Sequence, residues 1–127
     1  MNPAPPPFDW GEYLRLATEL SQYSDEASHR TSISRAYYSI FHAATIQARR
    51  NGYAARSHQK LWALYQRDPD RNCRKLSVLG NAMKVAREEA DYVTTVPDVP
   101  GTMAQQIEYA NRFIAILGTL PEASPHL

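Results

Sequence analysis

The stretch Ser34-Arg35-Ala36-Tyr37-Tyr38-Ser39-Ile40-Phe41-His42-Ala43-Ala44, SRAYYSIFHAA, decides how this chain folds. Apolar residues recur through and around it at the spacing of one helix face: Ile33, Tyr37, Ile40, Phe41, Ala44 and Ala48. Such a stripe points at a core. A helix turns about 100° per residue, so the step from Arg35 to His42 falls roughly 20° short of two full turns. Arg35 and His42 therefore share the opposite face, with Ser39 between them and Ser28, Thr31, Ser32 and Arg49 extending a polar stripe. The pattern predicts that Arg35 and His42 face away from the centre of their own helical bundle. Two readings of that stripe stay open. It is solvated polarity, or it is a site.

Working outward, the helix that carries this stretch is predicted from near Asp25 to Gly52, a suitable residue just past a helix end. Before it, Asp9 can cap a first helix, with Glu12 three residues on completing a capping-box pair. Tyr13, Ala17 and Leu20 line one face of that helix. Ser57 can cap a short third helix with Leu61, Trp62, Leu64 and Tyr65, and RDPDRN breaks it. A fourth helix, about Arg71 to Tyr92, carries Leu76, Leu79, Met83, Ala86 and Ala90. VPDVPG reads as a loop. A last helix, about Thr102 to Leu120, carries Met103, Ile107, Ala110, Ile114 and Leu117, an apolar seam for packing helix on helix. No long stretch alternates with period two. The predicted fold is all-α, an antiparallel four-helix bundle with one additional short helix.

The 127 residues suffice for one core, and 43% hydrophobic with 21% charged residues is a globular composition. One helical domain is expected over 9–120, between a flexible Pro-rich lead-in (1–8) and a C-terminal tail (121–127). Pro3, Pro5, Pro6 and Pro7 forbid a helix in the lead-in, which also lacks the features of a signal peptide. No apolar run approaches the roughly 20 residues of a membrane span. The lone Cys73 excludes an internal disulfide and suits a reducing cytoplasm. One Cys and four scattered His offer no metal-ligand spacing, so neither a metal nor another cofactor is expected.

Charge is unevenly spread. Arg49 to Lys75 holds eight basic and two acidic residues, a local +6 that leaves −5 for the rest of a chain of net +1. Such a region can meet an anion such as RNA phosphate, or it is a solvated loop and helix face. Arg49, Arg50, Arg56, His58 and Lys60 are its candidate RNA contacts. Arg35 and His42 supply complementary chemistry. Arg is a planar, permanently charged fork suited to phosphate. His titrates near neutral pH and moves protons. Cleaving an RNA phosphodiester needs both jobs. One Arg and one His form a thin catalytic set, and a two-fold dimer would double it.

SRAYYSIFHAA resembles the long-helix text of the HEPN domain, a small helical family of prokaryotic toxin and defence proteins. That family's ribonuclease motif is an Arg, four to six residues, then a His, which maps onto Arg35 and His42 with six between. ARSHQKL (55–61) resembles the family's loop before its next helix. AREEADYV (86–93) resembles its Arg-x-x-Ala-Asp-Tyr helix ending. The likeness spans about Trp10 to Leu117. It implies a homodimeric, metal-independent endoribonuclease whose two motifs meet in one cleft. His42 would be the general acid–base, Arg35 the phosphate-positioning cation, and the product end a 2′,3′-cyclic phosphate. From their spacing, Tyr38 and Ser39 are candidates to orient His42 or the RNA. Relatives paired with a nucleotidyltransferase antitoxin often carry a modified Tyr two residues after the His. Here that position is Ala44. Other readings are a non-catalytic HEPN-like module that docks a nucleotidyltransferase or nucleic acid, and a helical dimerisation protein.

Overall fold

The computed structural model describes residues 2–126. Five helices follow one another: α1 (Gly11–Leu20), α2 (Glu26–Arg50), α3 (His58–Gln66), α4 (Arg71–Tyr92) and α5 (Val99–Leu117). Among the described residues there is no strand, so the chain is all-α. Among the described residues no helix is long and apolar enough to cross a membrane.

Side-chain caps set most helix starts. The Asp25 carboxylate accepts from the Ser28 N–H at 2.9 Å, Ser57 Oγ from the Lys60 N–H at 3.1 Å, and Asp70 from the Asn72 N–H at 2.7 Å. Each satisfies a donor with no partner inside its helix. Gly52, at φ 86°, lets the chain turn out of α2. The start of α1 departs from the expected capping box. Trp10 occupies the cap position without a side-chain bond, and Asp9 accepts from the Gly11 N–H at 2.9 Å. Glu12 is engaged elsewhere, paired with Arg15.

The last helix also begins earlier than its sequence suggests. VPDVPG is not all loop, because Val99, Pro100 and Gly101 form the first turn of α5, which ends at Leu117 rather than Leu120. Proline is tolerated in a first turn, where its missing N–H would have no helical partner. Asp98 caps that turn by accepting from the Gly101 N–H at 3.1 Å. The buried line of α5 is Val99, Met103, Gln106, Ala110 and Phe113. Phe113 takes the core position expected for Ile114, which lies exposed.

α2 is the axis of the protein and packs against each of the other helices. Tyr37, Ile40, Ala44 and Ala48 meet Leu61, Trp62 and Tyr65 of α3, Leu76 and Met83 of α4, and Phe113 of α5. Trp62 lies flat on α4 because Gly80 has no side chain there; a Cβ at Gly80 would sit 2.6 Å from the indole. The Tyr65 hydroxyl donates to the Ala44 carbonyl at 2.8 Å. The expected polar stripe of α2 is only partly polar surface. Ser32 and Ser39 are buried, since α1 packs over that side of α2. Ser32 Oγ donates to the Ala17 carbonyl of α1 at 2.7 Å. Phe41, assigned to the core by its spacing, is half-buried at the edge.

The chain after α5 folds back. The Ser124 carbonyl accepts from the side-chain amides of Gln47 (2.9 Å) and Asn51 (3.2 Å). The buried Asp68 carboxylate accepts from the backbone N–H groups of His126 (2.6 Å) and Asp70 (2.8 Å).

Candidate active site

Tyr38 is the hub of a cationic cluster. The Arg35 guanidinium lies 5.1 Å from its ring centre and that of Arg87 5.3 Å. The His42 and His58 rings stand 6.2 and 6.0 Å away. Three helices contribute. On α2, Arg35, Tyr38 and His42 follow at steps of three and four and so share a face. His58 is the first residue of α3, and Arg87 reaches in from α4.

Arg35 is oriented from two sides. Its guanidinium lies over the Tyr13 ring at 4.6 Å, and its Nη2 donates to Ser34 Oγ at 3.3 Å. Ser34 Oγ donates onward to the Asp91 carboxylate at 3.2 Å. Among the described residues no carboxylate pairs with Arg35, so its fork remains available to an anion. Arg87 is 7% exposed, pairs with Asp91 at 3.8 Å, and leaves its Nε without a partner among the described residues.

The two histidines are held differently. Trp10 stacks on His42 with ring centres 3.6 Å apart and planes within 12°. Burial, reinforced by the charges of His58, Arg35 and Arg49, pulls the His42 pKa below its ordinary value, so the ring stays neutral at neutral pH. His58 lies on Phe41, centres 4.0 Å apart, with its Nδ1 2.6 Å from the Tyr37 hydroxyl. That hydroxyl oxygen already accepts from Trp62 Nε1–H at 3.1 Å. The assignment that gives the buried Tyr37 proton an acceptor directs it to Nδ1 and puts the His58 proton on Nε2. A proton on Nδ1 would displace the hydroxyl hydrogen of the fully buried Tyr37. Burial, then the charges of Arg87 and Lys84 against an opposing Glu88, likewise lowers the His58 pKa. The site thus holds a proton acceptor (His42), a neutral N–H donor (His58) and two guanidinium groups.

Of the residues singled out from the sequence, Arg35, His42, Tyr38 and His58 come together. Ser39 does not join them; its Oγ donates to the Ala36 carbonyl at 2.7 Å inside the protein. Arg49 is exposed, and its charge acts on His42. Arg50 lines a separate hollow with Gln47, Glu122 and Ala123. Arg56 and Lys60 are exposed at the entry to α3. Trp10, Tyr13 and Arg87 were missed. A signal for Arg87 existed, since it continues the core line Met83 and Ala90 at steps of four and three, where a lone Arg is out of place. Among the described residues no three His, Cys, Asp or Glu side chains group as metal ligands do.

Comparison of the chain with known protein families, with characterised proteins and with solved structures finds no match.

Trp10→Ala tests the origin of the depressed His42 pKa. Uncovering the ring removes the largest cause, burial, so the pKa should rise toward the ordinary value of about 6.5. A nuclear magnetic resonance titration of the imidazole reads it directly. An unchanged midpoint would mean that the indole contributes nothing to the desolvation.

Proposed function

We propose that this protein is a metal-independent endoribonuclease of the HEPN type, an antiparallel four-helix bundle with α3 as the added short helix, active as a homodimer. The observation that carries the reading is the gathering of Arg35, His42, His58 and Arg87 around Tyr38. Two permanent cations suit a phosphodiester, and a neutral imidazole suits removal of a hydroxyl proton.

In the proposed reaction neutral His42 takes the proton of the RNA 2′-OH. The 2′-oxygen attacks phosphorus, and the bond to the 5′-oxygen breaks. The imidazolium formed at His42 in that step returns the proton to the leaving oxygen. The products are a 2′,3′-cyclic phosphate and a free 5′-hydroxyl. Arg35 holds the non-bridging oxygens and balances the charge that builds on them, with Arg87 behind it. His58 adds a hydrogen bond through Nε2–H. The biological role is that of a cytoplasmic toxin or defence effector, with a nucleotidyltransferase-type partner as its candidate antitoxin. Ala44 removes the usual Tyr modification site from that pairing.

One observation favours a second reading, a HEPN-like module that docks a nucleotidyltransferase or nucleic acid and cleaves nothing. Trp10 covers a face of the His42 ring. The two readings separate on RNA incubated with the full chain in EDTA. The ribonuclease reading expects cleavage to 2′,3′-cyclic phosphate ends and none at a 2′-deoxy position, which lacks the nucleophile. Binding without cleavage favours the module.

A further inference from the structure

Phe8, Ile46 and Ile114 are large apolar side chains left 52%, 39% and 40% exposed, and all three line one hollow of about 280 Å³. That volume is near the lower end for a small-molecule site, roughly 300 Å³, and suits a single flat ring system. Leu14 and Ala43 add to its apolar lining. Trp10 and Phe8 form a corner of it, with ring centres 4.9 Å apart and planes at 79°. The polar side chains at the hollow are Asp9 and Ser39. Ser39 Oγ is committed to the Ala36 carbonyl at 2.7 Å. Asp9 is exposed, and its carboxylate is held over the start of α1 by the Gly11 N–H at 2.9 Å. Gly11 lines the hollow as well. A Cβ there would come 3.0 Å from Asp9 Oδ1, so the glycine leaves the carboxylate room. Among the described residues Asp9 has no ion pair, and Arg15 of α1 pairs with Glu12 and Glu19 instead. The Asp9 carboxylate therefore keeps free acceptor capacity at the edge of an apolar hollow.

We propose that this hollow binds the guanine base of a guanosine next to the cleaved bond, with Asp9 reading its Watson–Crick edge. A corner of two aromatic rings accepts any base, because every base has a π face. The carboxylate selects among them. It only accepts hydrogen bonds, at two oxygens side by side. Guanine presents two donors side by side, N1–H and its 2-amino group. Adenine and cytosine set a ring-nitrogen lone pair beside their amino group, and uracil flanks its one N–H with two carbonyls. Each of those three turns a lone pair toward the carboxylate. Position ties the hollow to the chemistry. The Trp10 indole lines the hollow and also stacks on His42 at 3.6 Å. Tyr13, 5.4 Å from Trp10, carries Arg35 over its ring. A base held at Trp10 leaves its phosphate to meet Arg35 and His42. The inference rests on the proposed ribonuclease reading, to which it adds a base preference.

Trp10 fluorescence reads the hollow without reference to cleavage, since the chain's other tryptophan, Trp62, is 1% exposed and out of a ligand's reach. Guanosine 3′-monophosphate should quench the full chain and bind at least about tenfold tighter than the adenosine, cytidine and uridine 3′-monophosphates, the discrimination of one good bidentate contact. Inosine 3′-monophosphate lacks the 2-amino group and should lose most of that preference. Asp9→Asn should turn the preference toward adenine. A carboxamide offers one donor and one acceptor, the match for adenine, and its oxygen can still accept from the Gly11 N–H. An Asp9 that served folding alone would not exchange one base for another. RNA cut by the wild type should be cut beside guanosine, and Asp9→Asn should move the cuts toward adenosine. Equal affinity for the four nucleotides, or an Asp9→Asn protein that keeps its guanine preference, overturns the pocket. So does the absence of quenching by any nucleotide, the result expected if another protein surface fills the hollow. A guanine-selective protein that cuts no RNA keeps the pocket and loses the ribonuclease reading. A protein that cuts RNA yet binds the four nucleotides equally does the reverse.

Discussion

Trp62→Ala is expected to destabilise the protein by about 3–5 kcal/mol, the range for removing a large buried aromatic side chain. Trp62 is 1% exposed and lies between α2, α4 and α5. Its ring packs on the side-chain-free Gly80, edge-on to Phe113 at 5.8 Å and against Tyr65 at 6.1 Å. Removing it leaves a cavity and strips the Tyr37 hydroxyl of its donor. A domain of this size typically has only about 5–15 kcal/mol of stability in total, so the denaturation midpoint should fall steeply. The site should feel it as well. Without Trp62 Nε1–H the Tyr37 hydroxyl is free to turn, and the His58 ring loses its single tautomer. Trp62→Phe separates the two effects, because it retains most of the ring and removes only the donor. Chemical denaturation measures the first and imidazole nitrogen shifts the second. A cost under about 1 kcal/mol for Trp62→Ala would contradict the packing described above.

Arg35→Ala should slow RNA cleavage about 10²–10³-fold, the usual cost of losing one preorganised group aimed at developing charge. The magnitude rests on preorganisation. Tyr13 and Ser34 hold the guanidinium in place, and no carboxylate among the described residues neutralises it. Arg35→Lys should recover little, because an ammonium on a flexible stem has neither the planar fork nor the stacking surface. Arg35 lies at the edge of the fold rather than in its core, so both variants should unfold at nearly the wild-type denaturant concentration. A full rate in Arg35→Lys would reduce its role to charge alone.

Much of this architecture can be read along the chain. Asp25, Gly52 and Ser57 mark helix ends because capping is local chemistry, decided within a few residues. The face that α2 turns to the core is legible for the same reason. What covers its other side is not local. Ser32 and Ser39 read as surface, yet α1 lies over them, and no pattern within α2 announces that. Trp10 and Tyr13 reach His42 and Arg35 by the same packing of α1 on α2. At the start of α5 two prolines read as loop, although proline fits a first turn. The seam expected through Ile107 and Ile114 lies one residue to the side of the observed buried line through Gln106 and Phe113, because what packs on α5 is not local to its sequence. The candidate site was half visible. Arg35 and His42 stand in one quoted stretch, but His58 and Arg87 join them only through the packing of α3 and α4.

The central claim is that His42 moves protons in RNA cleavage, and the measurement closest to it is a rate. Equal amounts of folded wild type and His42→Ala are incubated with RNA in EDTA, and the appearance of 2′,3′-cyclic phosphate ends is followed over time. The wild type should cleave, and His42→Ala should be slower by about 10²–10⁴-fold, the span of a lost general acid–base. Equal rates in the two proteins would contradict the account.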